Sequence, residues 1–193
     1  MKSESGALAT GVADRAGVVV ASARLEMRLM PALLLDALLA RDRASIGRIA
    51  GYTVPDAFPA PEDLPFLRFR REQLARDPAR YPWSVRAIVR TGDRKMVGFV
   101  NFHGAPGVND VGAADALELG WSVFPEERER GYATEAARAL MEWAGRAYGI
   151  THFISSTTAD NSASLRVHAK LGFAATGEVI DGEIIFETRL TAR

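Results

Sequence analysis

Polar and apolar residues alternate along two stretches of this chain. In Arg24-Leu25-Glu26-Met27-Arg28-Leu29 every second residue is apolar, which predicts a strand with one buried face. Leu117 to Phe124 alternates in the same way: Leu117, Leu119, Trp121 and Val123 share one face, and Glu118, Gly120 and Ser122 the other. Trp83 to Arg90 and Met96 to His103 read as strands flanking a Thr91-Gly92-Asp93 turn, hence an antiparallel hairpin. His152 to Thr157 is a further strand. Ala174 to Ile180 and Glu183 to Thr188 form a last hairpin about Asp181-Gly182, a favoured two-residue turn. The run VVVA at 18–21 is a candidate short strand ahead of the first.

A helical period appears between these strands. Pro31 suits the first residue of a helix, PALLLDALLA, because its missing N–H is not needed there. A second helical piece runs from Arg43 to Ile49. Glu62 to Arg76 sets Leu64, Leu67 and Leu74 on related faces. Ala137, Leu140, Met141 and Ala144 form an apolar stripe on a helix that reaches Tyr148 and stops at Gly149. Ser162 to Leu171 is a shorter helix closed by Gly172. Pro55, Pro59, Pro61 and Pro65 make 51–65 a loop, and 104–116 is a second loop. Residues 1–22 read as a loose tail and 23–193 as a single domain. The expected fold is α/β of the α+β kind: a mixed, largely antiparallel twisted sheet with flanking helices.

Composition narrows the function. A length of 193 residues fits one domain, and 48% apolar residues can fill a core. Lys+Arg and Asp+Glu balance at 24 each, so net charge makes no case for a nucleic-acid partner. The absence of cysteine excludes disulfides, thiol nucleophiles and thiolate metal sites. His103, His152 and His168 are too widely spaced for a zinc pattern, so no metal is expected. No apolar run is long enough to span a membrane, and the opening MKSESGALATGVADRAG lacks the apolar centre of a signal peptide. These features predict a soluble, cytoplasmic protein without a membrane partner.

Two constellations carry candidate chemistry. From Trp121 to Ala144 a strand passes into a helix through a turn holding Arg128, Arg130 and Gly131. A glycine there lets backbone approach a ligand closely, and the helix start offers free N–H groups at the positive end of its dipole. With two arginines this makes an anion site suited to phosphate or pyrophosphate. The alternative is an ordinary strand-to-helix turn with solvated arginines. No Gly-Lys-Ser/Thr follows, so it is not a nucleotide P-loop. The second constellation is Asn161, Ser164 and His168, at i, i+3 and i+7 on one helix face. That face is either a site wall or a solvated surface capped by Asn161 or Ser162.

RGYATEAARAL followed by ADNSASLRVHAKLGF resembles the GNAT superfamily of acyl-CoA N-acyltransferases, most closely the branch with the ribosomal-protein N-terminal acetyltransferases. Leu117 to Phe173 carries the resemblance; the first strand and helix and the 83–103 hairpin fit more loosely. The family pattern Gln/Arg-x-x-Gly-x-Gly/Ala is met by Arg128, Gly131 and Ala133. Its Asn-x-x-Ser ahead of Leu-Gly-Phe is met by Asn161, Ser164 and Leu171-Gly172-Phe173.

The resemblance implies a splayed pair of parallel strands, 117–124 and 152–157, with acetyl-CoA as acyl-donor cosubstrate. Backbone N–H groups of Arg128, Glu129, Arg130, Gly131, Tyr132, Ala133 and Thr134 would hold the pyrophosphate. Trp121, Ser122 and Val123 would pair with the pantetheine arm like an added strand. Asn161 and Ser164 would bond the cofactor from the other side. The implied activity is acetyl transfer to a primary amine, on a protein N-terminus or a small molecule, by direct attack. Members are commonly dimers, so a homodimer is implied as well.

A substrate amine must shed a proton, and Glu118 is the candidate base, acting through water. Its alternative is a strand-end glutamate in a surface salt bridge. A backbone N–H near Val123 would meet the oxyanion. His168 stands where many members place a tyrosine acid. It can donate to the departing thiolate, or it packs and water supplies that proton. His103 ends the hairpin strand in NFHG, where it either faces the acceptor or caps the strand; the cap is the favoured reading. Of other classes, a non-catalytic acyl-CoA sensor would share the cofactor motifs, whereas a nucleotide-binding protein is disfavoured by the missing lysine and magnesium ligands.

Overall fold

The computed structural model describes residues 17–191. Its strands are β1 (Val19–Ala21), β2 (Leu25–Leu29), β3 (Arg86–Arg90), β4 (Met96–Phe102), β5 (Ala116–Val123), β6 (His152–Thr157), β7 (Ala174–Ile180) and β8 (Glu183–Arg189). Its helices are α1 (Ala32–Leu39), α2 (Arg43–Ala50), α3 (Asp63–Arg76), α4 (Tyr132–Tyr148) and α5 (Ser162–Leu171). The strands form one sheet in the order β1-β2-β3-β4-β5-β6-β8-β7. All neighbours are antiparallel except β5 and β6, which are parallel. The expected mixed, largely antiparallel sheet is therefore observed. Of the tail expected over 1–22, residues 1–16 lie outside the described part, and Val19–Ala21 already pairs with β2.

Helix α4 covers one face. Its Leu140, Met141 and Ala144 pack with Leu25, Met27, Leu117 and Leu119, the apolar halves of the two alternating strands. Helices α1 to α3 cover the other face, where Leu34, Leu38, Ile46 and Leu67 meet Val85, Ala87, Val89 and Phe99. Trp83 and Phe102 belong to the first core, and Tyr52 and Phe58 to the second. Two boundaries differ from expectation. Pro31 is the N-cap of α1 rather than its first residue: its ψ of 158° is extended, and the helix begins at Ala32. Trp83 closes a 3-10 helix, Pro78–Trp83, because Pro78 and Pro82 favour tight turns over a ladder, so β3 starts only at Arg86.

Two features position the site. The β3–β4 register shifts between Ile88 and Val89, which face Gly98 and Met96, leaving Val97 as a bulge. The bent strand brings Gly98 so close to β5 that a Cβ would overlap the Ser122 carbonyl. Secondly, β5 and β6 pair only over Ala116–Glu118 and His152–Ile154. Beyond this, Leu119 to Val123 stay with β4, while Ser155 to Thr157 stay with β8. The two central parallel strands therefore fork immediately after Glu118.

Candidate active site

The fork opens into a cavity of about 920 Å³. One wall is the unpaired edge of β5 at Trp121, Ser122 and Val123. Phe124 N–H donates to the Val97 carbonyl of β4 at 3.0 Å. Backbone directions alternate along a strand, so the Val123 and Trp121 N–H groups point the other way, into the fork. The Val123 carbonyl does so too, and accepts from Arg128 Nε at 3.1 Å.

The second wall is the start of α4. Gly131 is left-handed, with φ of 81°, and turns the chain into the helix without a side-chain cap. Gly131, Tyr132, Ala133 and Thr134 line the cavity together with Arg128 and Glu129. First-turn N–H groups lack intrahelical partners, so this end is an anion cradle. Arg130 does not line the cavity. Its guanidinium donates to Glu127 at 3.0 Å and to the Glu126 carbonyl, and its own carbonyl accepts from Arg24. Glu127, nearly buried, is also paired with Arg90 at 2.9 Å and Lys95 at 3.0 Å, which ties the turn to the β3–β4 hairpin.

Helix α5 forms the third wall. Asn161 caps it, accepting from Ser164 N–H at 3.1 Å, and both residues line the cavity. Capping and wall roles coincide. Ala163, Arg166, Val167 and Lys170 also line it, and were missed by the sequence reading. They recur at i, i+3, i+4 and i+7, so the helical period carried the signal. Arg166, Lys170 and Arg128 make the rim cationic.

His168 lies on the same helix but turns inward. It is 1% exposed, between the rings of Trp121, Phe173 and Phe186 at 5.0, 5.4 and 4.4 Å. Its Nδ1 is 2.8 Å from the Ser164 carbonyl, which can only accept, so Nδ1 carries the proton. Nε2 has no partner among the described residues. Burial pushes the imidazole below its usual pKa, against the opposing pull of the Ser164 carbonyl.

Glu118 points to the face opposite α4, as its alternation predicts, but it is fully buried rather than in a surface salt bridge. Oε2 accepts from Asp110 N–H at 2.9 Å. Oε1 lies 3.1 Å from His103 Nδ1 and has no other polar partner among the described residues. Burial raises the carboxyl's pKa, but His103 and the Asp110 N–H outweigh it and hold it below the ordinary range. The widely spaced histidines gave no metal pattern, yet folding brings ligand atoms of His103, Asp110 and Glu118 within 4.8 Å of one another. Nothing in the sequence announced this cluster, because the 104–116 loop and the β4–β5 pairing create it.

The sequence profile of the acetyltransferase (GNAT) domain matches residues 24–174. The N-acetyltransferase YjdG of Bacillus subtilis (strain 168), itself uncharacterized, is 26% identical over 156 residues, 81% of this chain and 89% of its own. The apo structure of RimL, a ribosomal L7/L12 α-N-protein acetyltransferase, aligns with a TM-score of 0.57 at 17% identity, covering 89% of this chain and 94% of that one. The microcin C7 self-immunity acetyltransferase MccE, solved with acetyl-CoA and AMP, aligns with a TM-score of 0.57 at 15% identity, covering 88% and 94%. At such identities the two structures share the fold. This chain belongs to the GNAT acetyltransferase family and is an acyltransferase.

Proposed function

We propose that this protein moves an acetyl group from acetyl-CoA to a primary amine by direct attack on the thioester. One observation carries the reading: Trp121–Val123 on β5, Arg128, Glu129 and Gly131–Thr134 at the entry to α4, and Asn161 and Ser164 from the distant α5 wall a single cavity at the strand fork. The α4 start and the cationic rim suit the pyrophosphate, the open β5 edge suits the pantetheine amide groups, and Val123 N–H suits the oxyanion. MccE was solved with acetyl-CoA in this fold. RimL is a ribosomal L7/L12 α-N-protein acetyltransferase, which supports a protein N-terminus among the amine acceptors.

The acceptor's proton leaves on the Glu118 side of the fork. Of the two roles weighed for His168, its surroundings support packing. Its single proton is engaged by Ser164 and burial opposes a second, so the departing thiolate takes its proton from water.

Calorimetric titration of acetyl-CoA tests the cofactor half. Wild type should bind. Gly131→Glu and Ala133→Glu should not, because each sets a carboxylate in the anion cradle. Ala133 lies inside the helix, so that variant avoids the left-handed strain of position 131. No wild-type binding at millimolar acetyl-CoA would sink the proposal.

A further inference from the structure

We infer that His103 is the catalytic base of this enzyme, with Glu118 as the residue that positions it. The inference rests on the acetyl-transfer reading above and assigns that reaction's proton. Glu118 offers no oxygen to an acceptor: one is held by Asp110 N–H, the other faces the imidazole, and the side chain has no exposed surface. His103 is different. Its side chain is 37% exposed, and it sits just past the end of β4, over Gly120 of β5. The place a Gly120 Cβ would occupy is 3.3 Å from His103 Nε2. The missing side chain lets the ring lie over the strand, two residues beyond the fork.

The orientation is what a base requires. Glu118 is ionised at neutral pH, since its environment favours the charged form. A carboxylate 3.1 Å from Nδ1 draws the ring proton there and leaves the Nε2 lone pair free. The Asn101 amide lies within 3.4–3.7 Å of the same point over Gly120, and its buried Nδ2 has no partner among the described residues. Buried donors are ordinarily paired, so this idle amide beside the Nε2 acceptor points to a bond that a bound ligand completes. Two carboxylates face the ring, Glu118 from β5 and Asp110 from the preceding loop, while Arg70 of α3 meets the residue from its backbone, its Nη1 donating to the His103 carbonyl at 2.9 Å.

The step balances. The amine nitrogen forms a bond to the thioester carbonyl carbon, and the C–S bond breaks with its electron pair on sulfur. The amine proton passes to His103 Nε2 and then to water, and the CoA thiolate is protonated by water. Products are the N-acetyl amine and free CoA.

The test has two arms. The first follows CoA thiol release with a free-N-terminus peptide, a polyamine and an aminoglycoside as probes, and checks acetyl-CoA affinity separately. His103→Gln should lower turnover by roughly 10²-fold or more with acetyl-CoA affinity unchanged, and should abolish the acid limb of the kcat/KM profile. Glu118→Gln should bind acetyl-CoA normally and keep part of the turnover. His103→Gln turnover within about threefold of wild type would overturn the inference, as would activity lost to EDTA and restored by zinc. The second arm needs no acceptor. Ring ¹⁵N NMR of neutral His103 should show the proton on Nδ1 in wild type, and a shift toward Nε2 in Glu118→Gln. A wild-type ring protonated on Nε2 would also overturn it. Failed acetyl-CoA binding would strike the acetyl-transfer reading instead, so the two failures are distinct.

Discussion

His168 shows how one hydrogen bond decides what a histidine can do. The Ser164 carbonyl at 2.8 Å fixes the proton on Nδ1, and three aromatic rings enclose the remainder. Its folded pKa lies below the unfolded value of about 6.5. The unfolded chain therefore takes up the proton first, and stability falls as pH drops through about 6.5, with a slope approaching about 1.4 kcal/mol per pH unit, then levels off below the folded value. His168→Phe should flatten that slope in urea unfolding between pH 7.5 and 5. An unchanged slope would show that this ring is not the source. The spacing Asn161-Ser164-His168 was legible, but its phase was not. The cavity wall is centred nearer Val167, and only the packing of Phe173 and Phe186 on the far side turns His168 inward.

At the level of elements, the turn ahead of α4 is held by carboxylates that the sequence shows as an ordinary charged run, PEERER. Glu127 is the exception among them: its side chain is 4% exposed and gathers Arg90, Lys95 and Arg130 at 2.9–3.0 Å. Glu135, in the first turn of α4, accepts from Ser22 Oγ, Arg24 N–H and Arg24 Nε at 2.8–2.9 Å, strapping the helix start to the β1–β2 connection. Which glutamate is buried was not legible, because Arg90 and Lys95 come from a hairpin far back along the chain. Glu127→Gln should lower unfolding free energy by about 1–3 kcal/mol, since it leaves three cations around a neutral amide. It should also weaken acetyl-CoA binding by loosening Gly131. The pair Glu142–Arg146, at 3.7 Å with side chains 51% and 70% exposed, is the control. Glu142→Gln should change stability by less than about 0.5 kcal/mol. Equal effects in denaturant titrations would refute the anchoring role of Glu127.

Across the whole molecule the sheet is two halves joined at a fork. Strands β2 to β5 share antiparallel ladders of four or five residue pairs, with the short β1 at their edge, and are covered by helices on both faces. Strands β6, β8 and β7 reach them through three residues of parallel pairing and the packing of Phe153, Leu171 and Phe173 against the α4 core. Strand β7 is an edge, exposed along nearly its whole length. The alternation of Leu117–Phe124 made β5 legible, and the two motifs marked the cofactor walls. The fork itself depends on where β5 loses one partner and keeps the other, and β5 alone does not encode that. Local opening tracks buried contacts, so amides of β6 to β8 and α5 should exchange faster than those of β2 to β5 in the free protein. Acetyl-CoA would bridge β5, α4 and α5, adding across the gap the contacts the sheet omits. At 100 times its Kd a ligand adds about 2.7 kcal/mol, and at about 2–4 °C per kcal/mol for a domain of this size Tm should rise by roughly 5–11 °C. Hydrogen exchange should place the gain in α5, the α4 start and the β5 edge. A Tm rise with protection spread evenly over β1 to β3 instead would mean that the ligand binds away from the fork.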